Sequence, residues 1–509
     1  MSGLTTFAKT FGLSRIRKNL VSNGIATVVP GISTLVLTPI LLRQLGDQSY
    51  GVYIAAMSLV GTLAVLDLGM TSAATKYVAQ VDVQEDKPKL NAIISNSFSL
   101  YILIGLIVLV FVYIAAPMIG SRIFGETDIT TETLVGIVRL IGWVFSLNLL
   151  RGAMSGVIRG FQRYEAIAFT QTLYYLLLFV LQVVIVVLGG DVGDLLWVNF
   201  FIAAILLAVN IFIVKRYLVT NLKLFAIPDK RIIRELLSFG VFLLVANLGG
   251  MMLTSIDKLV IINVLGAATL TYYAVPLQLF VYIHRFGNTF ASILFPLTSE
   301  LQSAQDTQNM RRLYLRSIRL VTLLTTVPTV CLVIFSETVL SVWVSPELAI
   351  VSAPIMQVVA IGYLFQYIAI VPYYFLLGTG KVRNVAVTLV TIAVVAITLL
   401  YVGMKVSGLV GGAAGMSLGL LLMLIYPMLV QRSMRIQFRE VFVQGYGLTL
   451  IYSLLCLLIL MIVDSGIVIR LGVAFVYLLS ITYWGNFQQE DKVFVSATVR
   501  SGWQRLRYH

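Results

Sequence analysis

The sequence predicts an all-α protein that crosses a membrane about 14 times as helices, and three observations support this fold class. First, 59% of the 509 residues are hydrophobic and only 11% are charged, and the mean hydropathy is +0.96. A soluble protein needs a more strongly charged exterior than this. Second, apolar runs of roughly 20 residues, the length that spans a bilayer, recur along the whole chain. Third, two distant segments repeat each other, which indicates two similar halves.

The apolar runs and the Pro and Gly residues between them divide the chain into segments. The first run follows a basic N-terminus, is too long for a signal peptide and lacks a small-residue cleavage site, so we expect it to be retained as a spanning helix. The predicted spans are 20–42, 51–75, 92–116, 133–157, 167–188, 194–214, 236–263, 270–296, 317–336, 350–377, 384–404, 408–430, 444–463 and 467–487. The corresponding organisation is an N-terminal segment (1–19), an N-lobe (20–214), a linker (215–235), a C-lobe (236–430), two further helices (444–487) and a tail (488–509).

The distribution of Lys and Arg predicts the orientation. The N-terminus, the even-numbered loops and the tail contain most of the basic residues, whereas the odd-numbered loops contain only Arg43, Arg122, Lys405 and Arg470. Because cytoplasmic loops carry the excess of Lys and Arg, we expect both termini in the cytoplasm. The net charge of +14 is mostly this topology signal, so it gives no argument for binding nucleic acid, although anionic membrane lipids would be attracted.

The internal repeat is visible in two pairs of loops. LGDQSYGVY (Leu45–Tyr53) matches LGAATLTYY (Leu265–Tyr273) at a shift of 220 residues, and GFQRYE (Gly160–Glu165) matches GTGKVR (Gly378–Arg383) at a shift of 218. Six predicted spans separate the copies. Because six is even, both halves enter the membrane in the same direction, as in transporters built from parallel repeats. Such a repeat predicts a substrate site between two lobes.

Ionisable side chains inside the predicted spans are the candidate functional residues. A charge at the centre of a bilayer costs at least about 2.5–3.5 kcal/mol, so such residues face a watery cavity, pair with each other or reach the surface. The cavity candidates are Arg139, Arg151, Lys258, His284 and Arg285. The carboxylates Asp67 and Asp257 are candidates for a coupling proton or sodium ion.

Each candidate also has a structural alternative. Arg139 could extend to the outer membrane surface, and His284 could be a packing residue. Asp257 and Lys258 are neighbours that point about 100° apart on a helix, so they need not pair with each other. Asp67 could instead be a helix cap or the partner of a nearby Lys or Arg.

The excess of cations over carboxylates favours an anionic cargo. A guanidinium group binds phosphate through a bidentate fork, so arginines in a membrane cavity indicate a lipid-attached phosphate or diphosphate. We expect no catalytic residues, metal site or cofactor, because the chain contains no Walker motif, no HExxH and no cysteine cluster. The small residues of Gly408–Gly419 predict close helix packing.

The segment LLRQLGDQSYGVYIAAMSLVGTLAVLDLGMTSAATKYVAQ resembles the amino-terminal signature of bacterial polysaccharide-transport proteins of the O-antigen flippase type. The resemblance continues in SIDKLVIINVLG and LFPLTSE and departs from the family at Thr271 and Tyr272, where a glycine often precedes the aromatic residue. The residues that carry the resemblance are Leu45, Gly46, Tyr50, Gly51, Tyr53, Asp67, Gly69, Asp257, Leu265, Gly266, Tyr273, Pro296 and Ser299.

The resemblance implies the superfamily of multidrug (MATE), oligosaccharide-lipid and polysaccharide exporters. Its fold has two six-helix lobes around a central cavity, here with two extra helices. The implied function is to move an undecaprenyl-diphosphate-linked oligosaccharide, a repeat unit of O-antigen, capsule or exopolysaccharide, from the cytoplasmic to the periplasmic leaflet. A polysaccharide polymerase and a chain-length regulator could be further partners. The alternatives are a cation-coupled drug exporter of the same fold and a polysaccharide polymerase or ligase, for which the outer loops are short.

Overall fold

A computed structural model describes residues 13–67, 69–81, 86–124, 127–219 and 248–446, together with a few isolated positions before residue 248 and between residues 449 and 477. For residues 13–27 it describes the backbone only. Within these ranges the secondary structure is helical and contains no β-strand. The helices are α1 (Leu13–Leu63), α2 (Met70–Ala79), α3 (Lys87–Arg122), α4 (Thr131–Gly160), α5 (Tyr164–Val187), α6 (Val192–Ile213), α7 (Asp257–Leu265), α8 (Ala267–Ala291), α9 (Leu294–Ser303), α10 (Thr307–Ile334), α11 (Ser336–Trp343), α12 (Pro346–Gly378), α13 (Val382–Leu420), α14 (Ile425–Met434) and α15 (Phe438–Glu440).

Short 3₁₀-helical or π-helical turns connect or extend several helices. The 3₁₀ turns are Ala64–Asp67 and Leu421–Leu424, and the π turns are Val214–Leu218, Met252–Ile256 and Val441–Tyr446. Side-chain caps fix several helix starts; for example, the Asp191 carboxylate accepts a hydrogen bond from the backbone N–H of Asp194 at 3.0 Å at the start of α6. Such a cap satisfies a backbone donor that has no partner within the helix.

The protein is a multi-pass membrane protein. Among the described residues, nine helices are long and apolar enough to cross a membrane, and breaks at Gly46 in α1 and at Ser407–Gly408 in α13 divide two of these into antiparallel arms. The predicted total of 14 spans stays a prediction. Its last two members, 444–463 and 467–487, lie almost entirely outside the described residues, as do the tail (488–509), most of the N-terminal segment (1–19), most of the linker (215–235) and the start of the seventh span.

Helices before and after the linker form two groups. In the first, α4 packs against α3 and α6, and α5 packs against α1 and α6; in the second, α12 lies at the centre and contacts α8, α10 and α13. The groups meet mainly where α1 packs along α8. The lobe boundaries at 214 and 236 stay predictions, because the chain between them is largely outside the described residues.

The repeat is confirmed in the turns that follow α4 and α12. Arg163 N–H donates to Ile158 O at 3.2 Å, and Lys381 N–H donates to Leu376 O at 2.9 Å; both pairs are related by the shift of 218. This 6→1 hydrogen bond is the Schellman helix ending, which requires a left-handed residue. Gln162 (φ 56) and Gly380 (φ 77) occupy that position in the two halves.

The same two helices pack on equivalent neighbours. A Cβ atom on Gly160 would lie 3.0 Å from Thr75 O, and one on Gly378 would lie 2.8 Å from Phe295 O. Thr75 and Phe295 are related by the shift of 220. The repeated glycines therefore allow the same close helix contact in each half.

The other pair of repeated loops forms equivalent helix breaks. Gly46 has φ 75 and ψ 170, and Gly266 has φ 85 and ψ 172. A positive φ with extended ψ is accessible essentially only to glycine, which explains why both loops keep this residue. We call the end of the bundle that contains these two breaks the Gly46 end.

At the Gly46 end the halves contact each other around a pseudo-two-fold axis. Thr271 Oγ1 donates to Asp47 O at 2.7 Å, and a Cβ atom on Gly51 would lie 1.9 Å from Ala267 O. At the shift of 220 residues, Asp47 corresponds to Ala267 and Gly51 corresponds to Thr271. The two contacts are therefore one contact seen from either half, as expected for a two-fold interface.

A second equivalent pair extends this seal. An Arg43 side-chain N–H donates to Val344 O at 3.3 Å, and the Asn263 amide donates to Arg122 O. Arg43 and Asn263 are again related by 220 residues. The lobes are thus closed against each other at the Gly46 end.

Two predicted spans have different boundaries in the structure. The span predicted at 51–75 is interrupted, because α1 ends at Leu63 and α2 begins only at Met70, after Gly69 with φ 69. The span predicted at 317–336 begins earlier, at Thr307, where the Asp306 carboxylate caps Asn309 N–H at 3.1 Å. Basic residues that were assigned to a loop, Arg311, Arg312 and Arg316, therefore lie on α10.

The small-residue prediction for Gly408–Gly419 is confirmed by packing within α13. The arms on either side of the break are so close that a Cβ atom on Gly415 would lie 2.0 Å from Leu399 O. Without a hydrophobic driving force between helices in lipid, such close backbone packing supplies much of the association energy.

Candidate functional site

A cavity of about 620 Å³ lies inside the second group of helices. Its walls come from the π turn Met252–Ile256, α7, α8, α12, α13, the 3₁₀ turn Leu421–Leu424 and α14, and Thr34 of α1 contributes from the first group. The polar or aromatic lining residues are Thr34, Thr254, Lys258, Gln278, Tyr282, His284, Arg285, Asn288, Tyr363, Gln366, Tyr373, Tyr374 and Tyr426. None of the described lining residues is a carboxylate.

Helix α8 places three of the polar residues on one wall. His284 and Asn288 are one turn apart, and the Asn288 amide nitrogen lies 3.1 Å from His284 Nε2 and donates to His284 O at 3.0 Å. An amide nitrogen only donates, so Nε2 is the acceptor. The imidazole ring packs against Tyr367, with ring centroids 6.1 Å apart. His284 is therefore a cavity residue whose ring is also fixed by packing.

Arg285 is the cation of this cavity that no carboxylate neutralises. Its side chain is exposed, and its guanidinium carbon lies 5.4 Å from the centroid of the Tyr282 ring. A cation over an aromatic face is stabilised by roughly 0.5–2 kcal/mol. Its donors have no hydrogen-bond partner among the described residues, so the guanidinium group is available to an anion.

Lys258 also lines the cavity, but it is paired. Its Nζ atom lies 3.2 and 3.3 Å from the two oxygens of Asp257 and donates to Thr254 O at 2.6 Å. The Asp257 side chain is 1% exposed and also accepts from the Tyr273 hydroxyl at 3.3 Å. Although adjacent residues on a helix need not meet, these two do, because the long lysine chain bends back to its neighbour. The pair leaves little net charge here.

Arg151 lies in the first group, outside this cavity. Its guanidinium carbon is 4.7 Å from the centroid of Tyr174, and Tyr174 stacks edge to face with Tyr175 at 5.0 Å. Arg151 therefore stacks on a pair of aromatic rings of α5, whereas Arg285 stacks on Tyr282 of α8.

Arg139 has a different environment. Its guanidinium carbon stacks on Tyr113 of α3 at 4.5 Å, its Nε atom is buried without a hydrogen-bond partner, and Tyr113 is 50% exposed. The neighbouring Val110 and Ile114 of α3 are also exposed, which places this pair on an outer apolar surface. The structure does not bring Arg139 to the cavity.

Asp67 is held by hydroxyl groups. One of its oxygens accepts from Thr71 Oγ1 at 2.8 Å and from the Tyr101 hydroxyl at 2.5 Å, and these two hydroxyls lie 2.9 Å apart. The cluster follows the 3₁₀ turn Ala64–Asp67 and lies outside the cavity. Its partners are neutral, not the Lys or Arg that a surface role would supply.

Several cavity residues were not among the candidates read from the sequence. Gln366, Asn288 and Tyr426 line the cavity. None of them carries a charge at neutral pH, so none stands out within an apolar run. The sequence signal for such a residue is an amide side chain inside an apolar run, because a polar group without a partner is costly in a membrane. That criterion would have selected Gln366 within GYLFQYIAIV.

A match to a protein-family model shows the family to which this chain belongs. The model for "Polysaccharide biosynthesis protein" matches residues 16–302, more than half of the chain. The chain belongs to this polysaccharide biosynthesis protein family. Within the family's relatives, the "Putative O-antigen transporter" of Shigella flexneri is 22% identical over 415 residues, which cover 80% of this chain and 95% of that protein.

Solved structures show the same fold for this family member. The lipid II flippase MurJ in an inward closed conformation matches with a TM-score of 0.71 at 13% identity, over 92% of this chain and all of that one. A multidrug MATE transporter in an inward-facing conformation matches with a TM-score of 0.68 at 14% identity, over 81% and 94% of the two chains. The fold is therefore MATE-like, as the sequence resemblance implied.

Proposed function

We propose that the protein is a flippase that moves an undecaprenyl-diphosphate-linked oligosaccharide from the cytoplasmic to the periplasmic leaflet of a bacterial inner membrane. The observation that carries the proposal is Arg285, an exposed guanidinium group on the span predicted at 270–296, which lines a cavity with no carboxylate among its described lining residues. Arg151, on α4 of the first group, supplies a second guanidinium group. Together they offer the forked donors that a diphosphate accepts.

Family membership and the relatives support this cargo. The family model concerns polysaccharide biosynthesis, and two similar proteins are named a putative O-antigen transporter and a lipid II flippase. From the basic even-numbered loops we infer that the Gly46 end faces the periplasm. The contacts at the Gly46 end then close the periplasmic side, so the described state would load cargo from the cytoplasmic leaflet. Alternating access requires that these contacts open and that the opposite ends close.

The proposal is tested by leaflet transfer in proteoliposomes. An undecaprenyl-diphosphate oligosaccharide is supplied on one face and detected on the other with a lectin, and a cationic dye serves as the control cargo. We expect Arg285→Gln and Arg151→Gln each to reduce the initial rate at least tenfold. Lys405→Gln, a matched control at an exposed lysine that stacks on Tyr401, should keep the wild-type rate. Arg139→Gln should also keep it, because Arg139 stacks on α3. Glycolipid transfer that is insensitive to both Arg285→Gln and Arg151→Gln would contradict the proposal.

The coupling ion belongs to the same proposal. Asp257 is already paired with Lys258, whereas the partners of Asp67 among the described residues are hydroxyl groups, so we assign proton or sodium coupling to Asp67. In Asp67→Asn proteoliposomes, an imposed proton or sodium gradient should no longer accelerate transfer, while transfer without a gradient continues. Acceleration that survives in Asp67→Asn and is lost in Asp257→Asn would move the assignment to Asp257.

The second candidate function is drug export, which the likeness to MATE transporters favours. A cationic drug needs a carboxylate to pair with, and among the described lining residues the charged groups are Lys258 and Arg285. Movement of the dye without movement of the glycolipid would favour this candidate. A polymerase or ligase role has no specific observation in its support.

A further inference from the structure

We infer that the cavity behind Arg285 is a sugar subsite: it holds the sugar next to the diphosphate, while Arg285 at its rim holds the phosphates. This inference rests on the proposed function and deepens it. Its ligand class is a neutral pyranose linked to a diphosphate. Three features of the cavity support it: an amide with no protein partner, walls of tyrosine rings, and a volume suited to a small molecule.

Gln366 provides the first feature. It lies near the middle of α12 and lines the cavity, and its amide makes no hydrogen bond to any described residue. A polar group without a partner in an apolar environment costs roughly 2–7 kcal/mol, and the membrane interior offers no compensating solvent. Gln357, also on α12, does find a partner in Ser336 Oγ at 3.3 Å. The Gln366 amide is therefore left for a ligand that can both donate and accept, as sugar hydroxyls do.

The Oδ1 atom of Asn288 adds a second free acceptor on the facing wall. The nitrogen of this amide is used by His284, whereas its oxygen has no partner among the described residues. Gln278, by contrast, uses both ends of its amide: it accepts from Thr38 Oγ1 at 2.8 Å and donates to the Tyr50 hydroxyl at 3.1 Å. Among the described lining residues, the amide and guanidinium groups left with free hydrogen-bonding atoms are thus mainly those of Gln366, Asn288 and Arg285.

The tyrosine rings provide the second feature. Tyr373 stacks edge to face with Tyr374 at 5.3 Å and with Tyr426 at 6.1 Å, and the Tyr426 hydroxyl is anchored on Val385 O at 3.0 Å. These contacts hold the rings rigidly. An aromatic face is electron-rich, so it attracts the polarised C–H groups on the apolar face of a pyranose, while the rim of sugar hydroxyls meets the amides.

The size and charge of the cavity provide the third feature. A volume of about 620 Å³ lies in the range of roughly 300–1,000 Å³ that is usual for small-molecule sites. Lys258 is neutralised by Asp257, so beyond Arg285 the walls are uncharged in effect. Such walls suit an uncharged ring better than a second anion or a cation.

The experiment measures binding to the purified full-length protein by isothermal titration calorimetry. The probes are farnesyl diphosphate and a panel of farnesyl diphosphates that carry one hexose or one N-acetylhexosamine. For at least one sugar we expect wild-type affinity at least tenfold above that for farnesyl diphosphate. Gln366→Leu should reduce this increment about fivefold or more, which corresponds to the loss of one or two hydrogen bonds, without changing the affinity for farnesyl diphosphate.

Three further variants make the outcome specific. Tyr373→Leu should reduce the same increment, Gln357→Leu should leave it unchanged as the matched control on α12, and Arg285→Gln should weaken all probes alike. If wild type binds farnesyl diphosphate but no sugar adds affinity, or if Gln366→Leu and Tyr373→Leu keep the full increment, the sugar subsite is wrong and the diphosphate site stands. If wild type binds no diphosphate at all, both the subsite and the proposed function fail.

Discussion

The contact between Gly51 and Ala267 makes a quantitative prediction about the seal at the Gly46 end. A Cβ atom on Gly51 would lie 1.9 Å from Ala267 O, whereas ordinary contact begins near 3.4 Å. Gly51→Ala therefore requires the two helices to separate by about 1.5 Å, and comparable overpacking costs about 1–3 kcal/mol. The cost applies only while the lobes touch, so the closed state should be disfavoured roughly 5- to 100-fold, at about 1.4 kcal/mol per factor of ten.

The assay is cross-linking across the seal. Cysteines are introduced by Arg122→Cys and Asn263→Cys, at the neighbouring inter-lobe contact, in a background that carries Cys331→Ala and Cys456→Ala. In native membranes, Gly51→Ala should lower the initial rate of disulfide formation at least fivefold.

Gly136→Ala is the matched control for the seal. Gly136 lies within α4, and a Cβ atom there would meet nothing within 4 Å. Gly136→Ala therefore has the same gain in helix propensity as Gly51→Ala but introduces no steric clash. The reasoning would be refuted if Gly51→Ala cross-linked at the same rate as Gly136→Ala.

Three further predictions concern stability, measured as the thermal midpoint in detergent by fluorescence-detected size exclusion. Asp257→Asn should lower the midpoint, because breaking a buried pair costs about 3–5 kcal/mol, and adding Lys258→Gln should recover most of the loss; a double variant no better than Asp257→Asn would contradict the pairing. Gly380→Ala should destabilise by about 1–2 kcal/mol, because its φ is positive, while Gln162→Gly at the equivalent position should be neutral or stabilising; equal shifts in the same direction would argue against the shared turn. Gly415→Leu should prevent assembly of the α13 hairpin, and a monodisperse variant with the wild-type midpoint would show that the close approach is not needed.

The repeat could be predicted from the sequence because backbone geometry restricts the residue type. Positive φ at Gly46 and Gly266 admits essentially one amino acid, so the glycines mark the breaks directly. The span boundaries were less predictable. The hydropathy profile shows no interruption within residues 51–75, so it does not reveal the turn at Gly69.

The candidate site was only partly predictable, because a sequence gives the depth of a residue in the membrane but not the direction that it faces. Arg139 and Arg285 are both ionisable residues in apolar helices. The structure places Arg285 on the cavity and Arg139 on Tyr113 of α3. Which one faces a cavity depends on how neighbouring helices are arranged around the bundle, and no local pattern contains that information. Gln366 was missed because amide side chains were not considered as candidates.

The fusion of two related halves in one chain has a consequence for the shape of the binding site. Two identical subunits would present every arginine twice across their axis, and like charges at close range repel strongly at low dielectric constant. In the duplicated chain each copy has diverged: the position equivalent to Arg285 is Val65, and the position equivalent to Arg151 is Ala369. Duplication preserved the symmetric helix breaks and the seal, while divergence left each of these two arginines without a symmetry mate in the other half.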